Sequence, residues 1–377
     1  MTTLTIKKQS YKVVFRCDAS IQIGSGHVMR CLTLADELAR QGAECFFICR
    51  EHEGNLIEDL RQHGYQVYAL PLENDIAVEP EDRSFLAPTL THSHWLASSQ
   101  HRDAELSRLI VEGLQPDWLI VDHYALDASW EKELHPFCKN LMVIDDLADR
   151  PHACEVLLDQ NFGRNPQDYA VLTPAKCQVL CGSMYALLRP EFAKWRDYSL
   201  EQRQHNKLTS ILINLGGVDK DNVTSKVLKA LQTKVLPNEC AITVVMGSTS
   251  PSIAAVKQQA ATMPWPTAVK VAVDNMAELM ANSDLAIGAA GSTSWERCCL
   301  GLPTIMLVLA DNQRVIADAL EEAGAAQRFN LAKLESEPLA LDRCITSVVI
   351  KLREMSRVAS SITDGLGVSR LAEVLLP

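Results

Sequence analysis

Residues 16–30 read RCDASIQIGSGHVMR, and this stretch joins a predicted strand to a predicted helix. The strand covers Tyr11 to Cys17, and the helix covers Val28 to Gln41, where apolar residues recur at the helical spacing. Gly24 and Gly26 lie in the turn between them, and glycine lets a backbone adopt positive φ and bring its N–H groups close to a ligand. The helix that follows presents its positive end to whatever the loop holds. The chain therefore begins with a unit typical of α/β ligand-binding domains.

His27 stands at the end of this turn, where a side chain faces the position of a bound ligand. The helix dipole there favours the neutral imidazole, which accepts protons. His27 is therefore a candidate general base, and the alternative is that it only caps the helix. The dinucleotide fingerprint is disfavoured, because Met29 stands where its third glycine is required.

Length and composition restrict the class of protein. A chain of 377 residues can form two domains, and 47% hydrophobic with 22% charged residues is typical of globular proteins. The net charge of −11 argues against nucleic acid as a partner. No apolar run reaches the about 18–20 residues of a membrane span and the first ten residues lack a signal-peptide core, so we expect a cytoplasmic protein with no membrane partner. The twelve cysteines are expected to be free thiols, and their spacing predicts no metal site.

The first half of the chain alternates strands with helices, which predicts a parallel, doubly wound sheet. Further strands are expected at Glu44–Cys49, Gln66–Leu70, Trp118–Val121 and Leu141–Ile144. Residues 71–100 interrupt the pattern and are interpreted as an insertion or a lid. The segment Thr91–Trp95 within them carries two histidines, and we assign these no role, because histidines in polar loops are commonly exposed.

Polar residues follow two of these strands, at the sheet edge where open α/β sheets bind ligands. Asp122, His123 and Tyr124 follow one strand and are candidates to face His27, and a cap of the next helix is an equally good interpretation of Asp122. Asp145 and Asp146 follow the next strand. They could hold Mg²⁺, cap a helix or pair with arginines.

The second half of the chain repeats the same pattern. Ser210–Asn214 is a predicted strand, and Leu215–Asp219, with Gly216 and Gly217, is a glycine turn. Residues 1–195 are expected to form one domain and residues 210–377 another. The charged and polar stretch 196–209 has no apolar stripe and is interpreted as the linker.

The predicted strand Asp284–Gly288 leads into the run Ala289–Ser294, which opens another helix. Small and hydroxyl residues such as Ser292 and Thr293 suit a diphosphate, which takes hydrogen bonds from backbone N–H groups and hydroxyls. Glu296, one turn into the helix, could accept hydrogen bonds from a ribose diol. The alternative is a helix that is simply well capped. Asn312 and Gln313 begin a further helix after the strand Thr304–Leu309.

These motifs together resemble the nucleotide-sugar hydrolases of pseudaminic acid biosynthesis, relatives of the MurG-like GT-B glycosyltransferases, over nearly the whole chain. Such hydrolases remove UDP from UDP-2,4-diacetamido-2,4,6-trideoxy-β-L-altropyranose. The resemblance lies in the following segments: Arg16–Ser20, Ile23–His27, Asp122–Tyr124, Asp145–Asp146, Cys181–Arg189, Leu215–Gly217 and Asn312–Gln313. The stretch Pro71–Gln100 is longer than the family pattern.

The resemblance implies a GT-B fold, in which two doubly wound Rossmann-like domains face a cleft that holds the active site. His27 is then the general base, and Tyr124 and Asp18 line the sugar pocket. From the C-terminal domain, Glu296, Asn312 and Gln313 touch the UDP-sugar. The other substrate-binding positions are expected to be Arg16, Gly26, Gly216, Gly217, Ser292 and Thr293.

The expected reaction is attack of water on the anomeric carbon, with inversion and release of UDP, and it requires no metal or other cofactor. Two other classes remain open from the sequence. A GT-B glycosyltransferase would use a sugar hydroxyl in place of water, and a non-catalytic protein would bind the nucleotide sugar without turnover.

Overall fold

The structure is a computed structural model that describes residues 10–72, 90–232 and 236–376. Most of the predicted insertion at residues 71–100 lies outside the described residues. The described chain divides into two compact units, each built on its own parallel sheet.

The first unit contains a seven-stranded sheet with the strand order β3-β2-β1-β4-β5-β6-β7. Its strands are β1 Lys12–Cys17, β2 Glu44–Arg50, β3 Gln66–Leu70, β4 Trp118–Asp122, β5 Asn140–Ile144, β6 Val156–Asp159 and β7 Gln178–Cys181. Its helices include α1 Gly26–Arg40, α2 Ile57–Gln62, α3 Gln100–Leu114 and α4 Ala128–Leu134. All pairings between these strands are parallel, so the predicted doubly wound sheet is confirmed.

The second unit contains a six-stranded parallel sheet with the strand order β10-β9-β8-β11-β12-β13. Its strands are β8 Ser210–Asn214, β9 Ala241–Met246, β10 Thr267–Val271, β11 Leu285–Ala289, β12 Thr304–Leu307 and β13 Ala326–Phe329. Its helices include α5 Pro190–Gln202, α6 Val223–Leu231, α7 Ile253–Ala260, α8 Met276–Ala281, α9 Thr293–Cys299, α10 Arg314–Glu322, α11 Lys333–Ser336, α12 Ala340–Val349 and α13 Leu352–Ile362, and α14 Gly367–Leu375 ends the chain.

The direction of strand addition reverses once in each sheet. In the first sheet β1 and β4 are neighbours, and in the second sheet β8 and β11 are neighbours. The loops that leave two such strands diverge to opposite faces of the sheet and open a crevice at the carboxyl edge. Among the candidate site residues, His27 and Tyr124 come after β1 and β4, and Gly216 and Ser292 come after β8 and β11.

The apolar faces of the helices pack on both sheets. Buried side chains such as Val14, Leu119 and Trp130 belong to the core of the first unit, and Ile211, Val244 and Ile287 belong to the core of the second. In the described part of the chain, no helix has the length and apolarity that crossing a membrane requires.

The predicted linker is the main difference between sequence and structure. The second unit begins at Gly182 and also takes in Gln160–Arg164, whereas the chain from Ser369 onward belongs to the first unit. Half of the residues predicted as linker are helical, because α5 extends to Gln202, and this helix packs on α8 and α9.

Two arginines explain why this charged stretch is not a solvated linker. Arg196 donates hydrogen bonds to the carbonyls of Cys299 and Ser360, and the buried Arg203 donates to those of Leu300 and Met280. These guanidinium groups satisfy carbonyl groups at helix ends within the second unit. The charged and polar composition of residues 196–209 is typical of a linker, but the two arginines attach α5 to the second unit.

Candidate active site

The loop between β1 and α1 folds back on itself. The N–H of Gly24 donates to the carbonyl of Ser20 at 2.8 Å, and the Ser20 hydroxyl accepts from the N–H of Ile23, also at 2.8 Å. Gly24 has φ of +83°, which only glycine adopts without strain. The helix starts at Gly26, two residues earlier than predicted, so His27 lies in its first turn.

His27 and Asp122 form a buried pair between α1 and the end of β4. His27 Nδ1 lies 2.6 Å from Asp122 Oδ1. Because a carboxylate only accepts hydrogen bonds, this contact places the proton on Nδ1 and the lone pair on Nε2. No described residue forms a hydrogen bond with Nε2, and the His27 side chain is 9% exposed. The pair has the geometry of an oriented general base.

Arg30, one turn along α1, holds Asp122 in place. Its guanidinium donates to both carboxylate oxygens of Asp122 at 2.6 Å and to Asp146 at 2.6 Å. Burial acts to raise the pKa of Asp122, but Arg30 and His27 lower that pKa well below its usual range. The sequence left two interpretations of Asp122, a helix cap and a residue that faces His27. The structure shows that Asp122 pairs with His27.

Tyr124 packs against the ring of His27. Its ring meets the His27 ring edge-on at 4.6 Å between centroids, and its hydroxyl donates to Asp146 at 2.6 Å. Burial and the charge of Asp146 raise the pKa of Tyr124, so the phenol stays protonated. The predicted proximity of Tyr124 to His27 is confirmed by this contact.

Arg16 and Asp18 are placed differently from the expectation that they bind substrate. Both side chains are fully buried. Arg16 donates to Asp18 Oδ1 and to Asp103 Oδ2, both at 2.7 Å. Arg50 donates to the same Asp103 oxygen, and the other oxygen of Asp18 lies 3.2 Å from His123 Nε2. Groups that are paired and enclosed in this way hold the loop and β1 in place, so direct contact with a substrate is not supported for either side chain.

Of the three roles that the sequence left open for Asp145 and Asp146, the structure shows pairing with arginines. Asp145 is paired with Arg150 at 2.8 Å and accepts from the Tyr169 hydroxyl at 3.0 Å, whereas Asp146 is paired with Arg30. Each carboxylate is therefore already neutralised by an arginine. Among the described residues there is no cluster of three or more histidine, cysteine or acidic side chains that could hold a metal ion.

The segment Thr91–Trp95, to which the sequence assigned no role, lies against this group of residues. Residues Ser93–Leu96 form a single 3₁₀ turn. The Trp95 ring stacks on Tyr124 at 5.6 Å and meets the edge of His27 at 6.4 Å, and His92 lies 5.5 Å from Tyr124. The aromatic residue at position 95 was the only sequence signal that could have drawn attention to this segment.

In the second unit, a buried arginine underlies the loop after β11. Arg297 donates to the carbonyl of Ala289 at 2.6 Å, to Ser294 Oγ at 3.1 Å and to Thr293 Oγ1 at 3.3 Å. No carboxylate among the described residues pairs with it, and burial lowers its pKa to about 10. A Cβ at Gly288 would come within 2.4 Å of its Nη1, so glycine is needed there. The loop therefore has a positive charge beneath it, which the sequence analysis missed.

Other predicted nucleotide-site residues surround this loop. Glu296 is half-buried, and burial raises its pKa to about 7. Gln313 accepts a hydrogen bond from the N–H of Leu309 at 2.9 Å, and its amide nitrogen lies beside Gly291. Asn312 lies in the adjoining 3₁₀ turn, and its side chain is outside the described part of the structure. Ser292 precedes α9 and makes no cap with its hydroxyl.

The glycine turn after β8 lies beside this loop, because β8 pairs with β11. Gly216 has φ of +92°, and Gly217 continues the turn. The Asp219 carboxylate accepts from the N–H groups of Val223 and Thr224 at 2.8 and 3.0 Å. The N-terminal amides of α6 are thus occupied by the chain's own acid, which leaves the loop before α9 as the better anion site in this sheet.

Known proteins are similar to this chain in sequence. The profile of the glycosyltransferase family 28 C-terminal domain matches residues 210–356. The UDP-2,4-diacetamido-2,4,6-trideoxy-beta-L-altropyranose hydrolase of Campylobacter jejuni is 30% identical over 83% of this chain and 97% of its own. The spore coat polysaccharide biosynthesis protein SpsG of Bacillus subtilis is 30% identical over 54% of this chain and 60% of its own.

A solved structure with the same architecture is MurG of Acinetobacter baumannii, with a TM-score of 0.65 at 17% identity, covering 97% of this chain and 99% of that chain. That likeness, with the two parallel sheets, shows the predicted GT-B fold. The chain belongs to the same family as the UDP-2,4-diacetamido-2,4,6-trideoxy-beta-L-altropyranose hydrolase of Campylobacter jejuni.

Proposed function

We propose that this protein hydrolyses UDP-2,4-diacetamido-2,4,6-trideoxy-β-L-altropyranose at the anomeric C–O bond, releasing UDP and the free sugar, as a cytoplasmic enzyme of pseudaminic acid biosynthesis. The observation that carries the proposal is the His27–Asp122 pair, with Nδ1 occupied and Nε2 without a partner among the described residues. The relationship to the Campylobacter jejuni hydrolase supports the choice of substrate.

In the proposed reaction, Nε2 of His27 takes a proton from a water molecule as its oxygen attacks the anomeric carbon. Asp122 stabilises the imidazolium that forms and keeps the ring oriented. The C1–O bond to the diphosphate breaks, and its electron pair leaves with UDP. Attack on the face opposite the leaving group inverts the anomeric configuration, and the histidine then returns its proton to solvent.

The second unit is proposed to hold the nucleotide. Charge on the leaving diphosphate would be stabilised by the backbone of Gly291–Thr293 and by the buried charge of Arg297 beneath it. Gly216 and Gly217 would let the backbone approach the ligand closely. Glu296 would accept from the ribose hydroxyls, and Asn312 and Gln313 would contact the UDP-sugar. In the first unit, Tyr124 and the backbone at Gly26 would border the sugar.

The direct test is incubation of the purified protein with the UDP-sugar in H₂¹⁸O without any acceptor. We expect UDP and free sugar, with the label on the C1 hydroxyl and none in UDP. Label on a phosphate together with release of a sugar phosphate would show attack at phosphorus and overturn the proposal.

A UDP-sugar glycosyltransferase is the second candidate. It is favoured by the match of residues 210–356 to a glycosyltransferase domain. Such an enzyme would release UDP only after an acceptor alcohol is added. Binding of UDP without turnover under either condition would instead indicate a non-catalytic nucleotide-sugar binding protein.

Removal of divalent metals is expected to leave the hydrolytic rate nearly unchanged. The paired acids Asp145 and Asp146 are neutralised by Arg150 and Arg30, so the proposed charge stabilisation comes from amides and a guanidinium. The measurement is the rate of UDP release before and after EDTA treatment and dialysis. A strong loss that Mg²⁺ restores would contradict this prediction.

Glu296→Ala is expected to raise KM for the UDP-sugar more than it lowers kcat, because ribose contacts are alike in ground and transition states. The raised pKa of Glu296, about 7, adds a pH dependence. The carboxylate accepts hydrogen bonds best when ionised, so affinity should rise from pH 6 to pH 8 in the wild type and stay level in Glu296→Gln. Initial rates of UDP release at each pH give KM and kcat and so measure this, and a large fall in kcat at unchanged KM would contradict the ribose role.

A further inference from the structure

Three rings form a continuous surface beside the candidate base. We call His92, Trp95 and Tyr124 the aromatic wall. The centroids of His92 and Trp95 are 4.3 Å apart, those of Trp95 and Tyr124 are 5.6 Å apart, and those of His92 and Tyr124 are 5.5 Å apart. Each ring therefore touches the other two, and Trp95 and Tyr124 also meet His27 edge-on.

The wall is anchored by the local backbone. The N–H of Trp95 donates to the carbonyl of His92 at 2.9 Å, which closes the 3₁₀ turn. The next residue, Leu96, is 1% exposed and belongs to the core of the first unit. Ala97 then adopts a left-handed conformation with φ of +50°, and Ser99 caps α3. Core packing on one side and a helix start on the other hold Trp95 in position.

The aromatic wall lies against the His27 side chain, which is 9% exposed. The Nδ1 side of His27 is occupied by Asp122, and Tyr124 and Trp95 lie along the ring. Trp95 and His92 are themselves half-buried. A molecule of water needs only a small opening to reach Nε2, whereas the hydroxyl of an alcohol brings its carbon substituents with it.

We propose that the aromatic wall makes this site select water over alcohols as the nucleophile, with Trp95 as the specificity-determining residue. The inference rests on the proposed function. When an alcohol attacks C1, its proton passes to His27, the C1–O bond to UDP breaks, and the product is a glycoside in place of the free sugar. The chemistry is the same as for water, so steric exclusion by the wall would determine the outcome.

The first test measures how the wild type and Trp95→Ala divide the sugar between water and an added alcohol. Each protein is given the UDP-sugar in buffer with methanol or glycerol, and free sugar and glycoside are quantified by NMR. We expect mostly free sugar and a small glycoside fraction from the wild type, and a glycoside fraction about tenfold larger from Trp95→Ala, a typical steric discrimination. Trp95→Phe should lie close to the wild type.

Ser93→Ala is the matched control, because Ser93 shares the 3₁₀ turn but lies outside the wall and is exposed. The ratio of glycoside to free sugar that this variant forms should equal that of the wild type. An unchanged partition in Trp95→Ala, or ready transfer to glycerol by the wild type, would overturn the inference. Release of no UDP by the wild type without an acceptor would instead refute the proposed function.

A second test does not depend on turnover. Diethyl pyrocarbonate acylates accessible neutral imidazole nitrogens, and mass spectrometry of the peptide that contains His27 follows its modification. We expect His27 to react several-fold faster in Trp95→Ala, and also in His92→Ala, than in the wild type. The exposed histidines His63 and His205 serve as internal controls. Equal His27 rates in all proteins would overturn the inference.

Discussion

Replacing His27 by asparagine is expected to lower kcat by about 10²–10⁴, the usual contribution of a general base, while nucleotide affinity is largely kept. Asparagine retains a polar side chain in the first turn of α1 but cannot accept the proton of the attacking water. The proposed contacts to UDP come from the second unit, so the dissociation constant for UDP should change little. Stopped assays of UDP release and calorimetric titration with UDP measure the two quantities.

His205→Asn is a suitable control for this variant, because His205 is exposed and lies in the second unit. Its kcat should equal that of the wild type. Near-normal turnover by His27→Asn would show that His27 only caps α1, and the proposed mechanism would then fail.

Asp122→Asn is expected to reduce kcat to a similar or larger degree, although Asp122 acts only through its neighbours. The carboxylate accepts from His27 Nδ1 and from two nitrogens of Arg30. An asparagine presents an N–H group on one side, which disturbs the ring tautomer that leaves Nε2 free. In a comparable histidine–aspartate pair this change costs about 10⁴ in kcat. The measurement is the steady-state kinetics of UDP release, in which kcat should fall and KM should change little.

The same substitution is expected to destabilise the protein by about 3–5 kcal/mol, since it leaves the buried charge of Arg30 without its main partner. The pKa of Asp122 is lower in the folded state than in the unfolded state. Its contribution to stability is therefore present above the unfolded pKa, about 3.9, and is lost as the pH falls below it. The free energy of unfolding is measured by urea titration at pH 7 and at pH 3.5. The difference between the two values should be smaller for Asp122→Asn than for the wild type.

Asp318→Asn is the control for this effect, because Asp318 pairs with Arg328 on the surface. An exposed pair contributes about 0–1 kcal/mol, so its loss should hardly alter the unfolding midpoint. If Asp122→Asn unfolded like the wild type and kept its kcat, the pair would have neither a structural nor a positioning role.

The sequence alone was sufficient for the fold class and for the position of most strands. Hydrophobic periodicity and glycine turns are local signals, so β3, β4, β8 and the turn before α1 followed from neighbouring residues. The same logic located the loops that end at His27 and at Ser292, because the carboxyl ends of parallel strands share one edge. Resemblance to a known family then indicated the GT-B architecture, which the comparisons confirmed.

The contacts that give the residues their roles depended on the tertiary structure. Asp122 lies 95 positions from His27 along the chain, and only the pairing of β1 with β4 brings the two together. Asp145 and Asp146 are identical in type and adjacent, yet they face different arginines. Charge composition suggested a linker at residues 196–209, because sequence does not distinguish a solvated arginine from one that donates to buried carbonyls.

The sequence by itself thus determined that two parallel-sheet units carry glycine-containing loops at their carboxyl edges, because strand, turn and helix preferences act over a few residues. Only the tertiary structure decided that His27 is oriented by Asp122, that Arg16 and Asp18 are enclosed, and that Trp95 lies beside the base. Which side chains pair and which are buried depends on contacts between residues far apart in the sequence, and local sequence patterns do not specify those contacts.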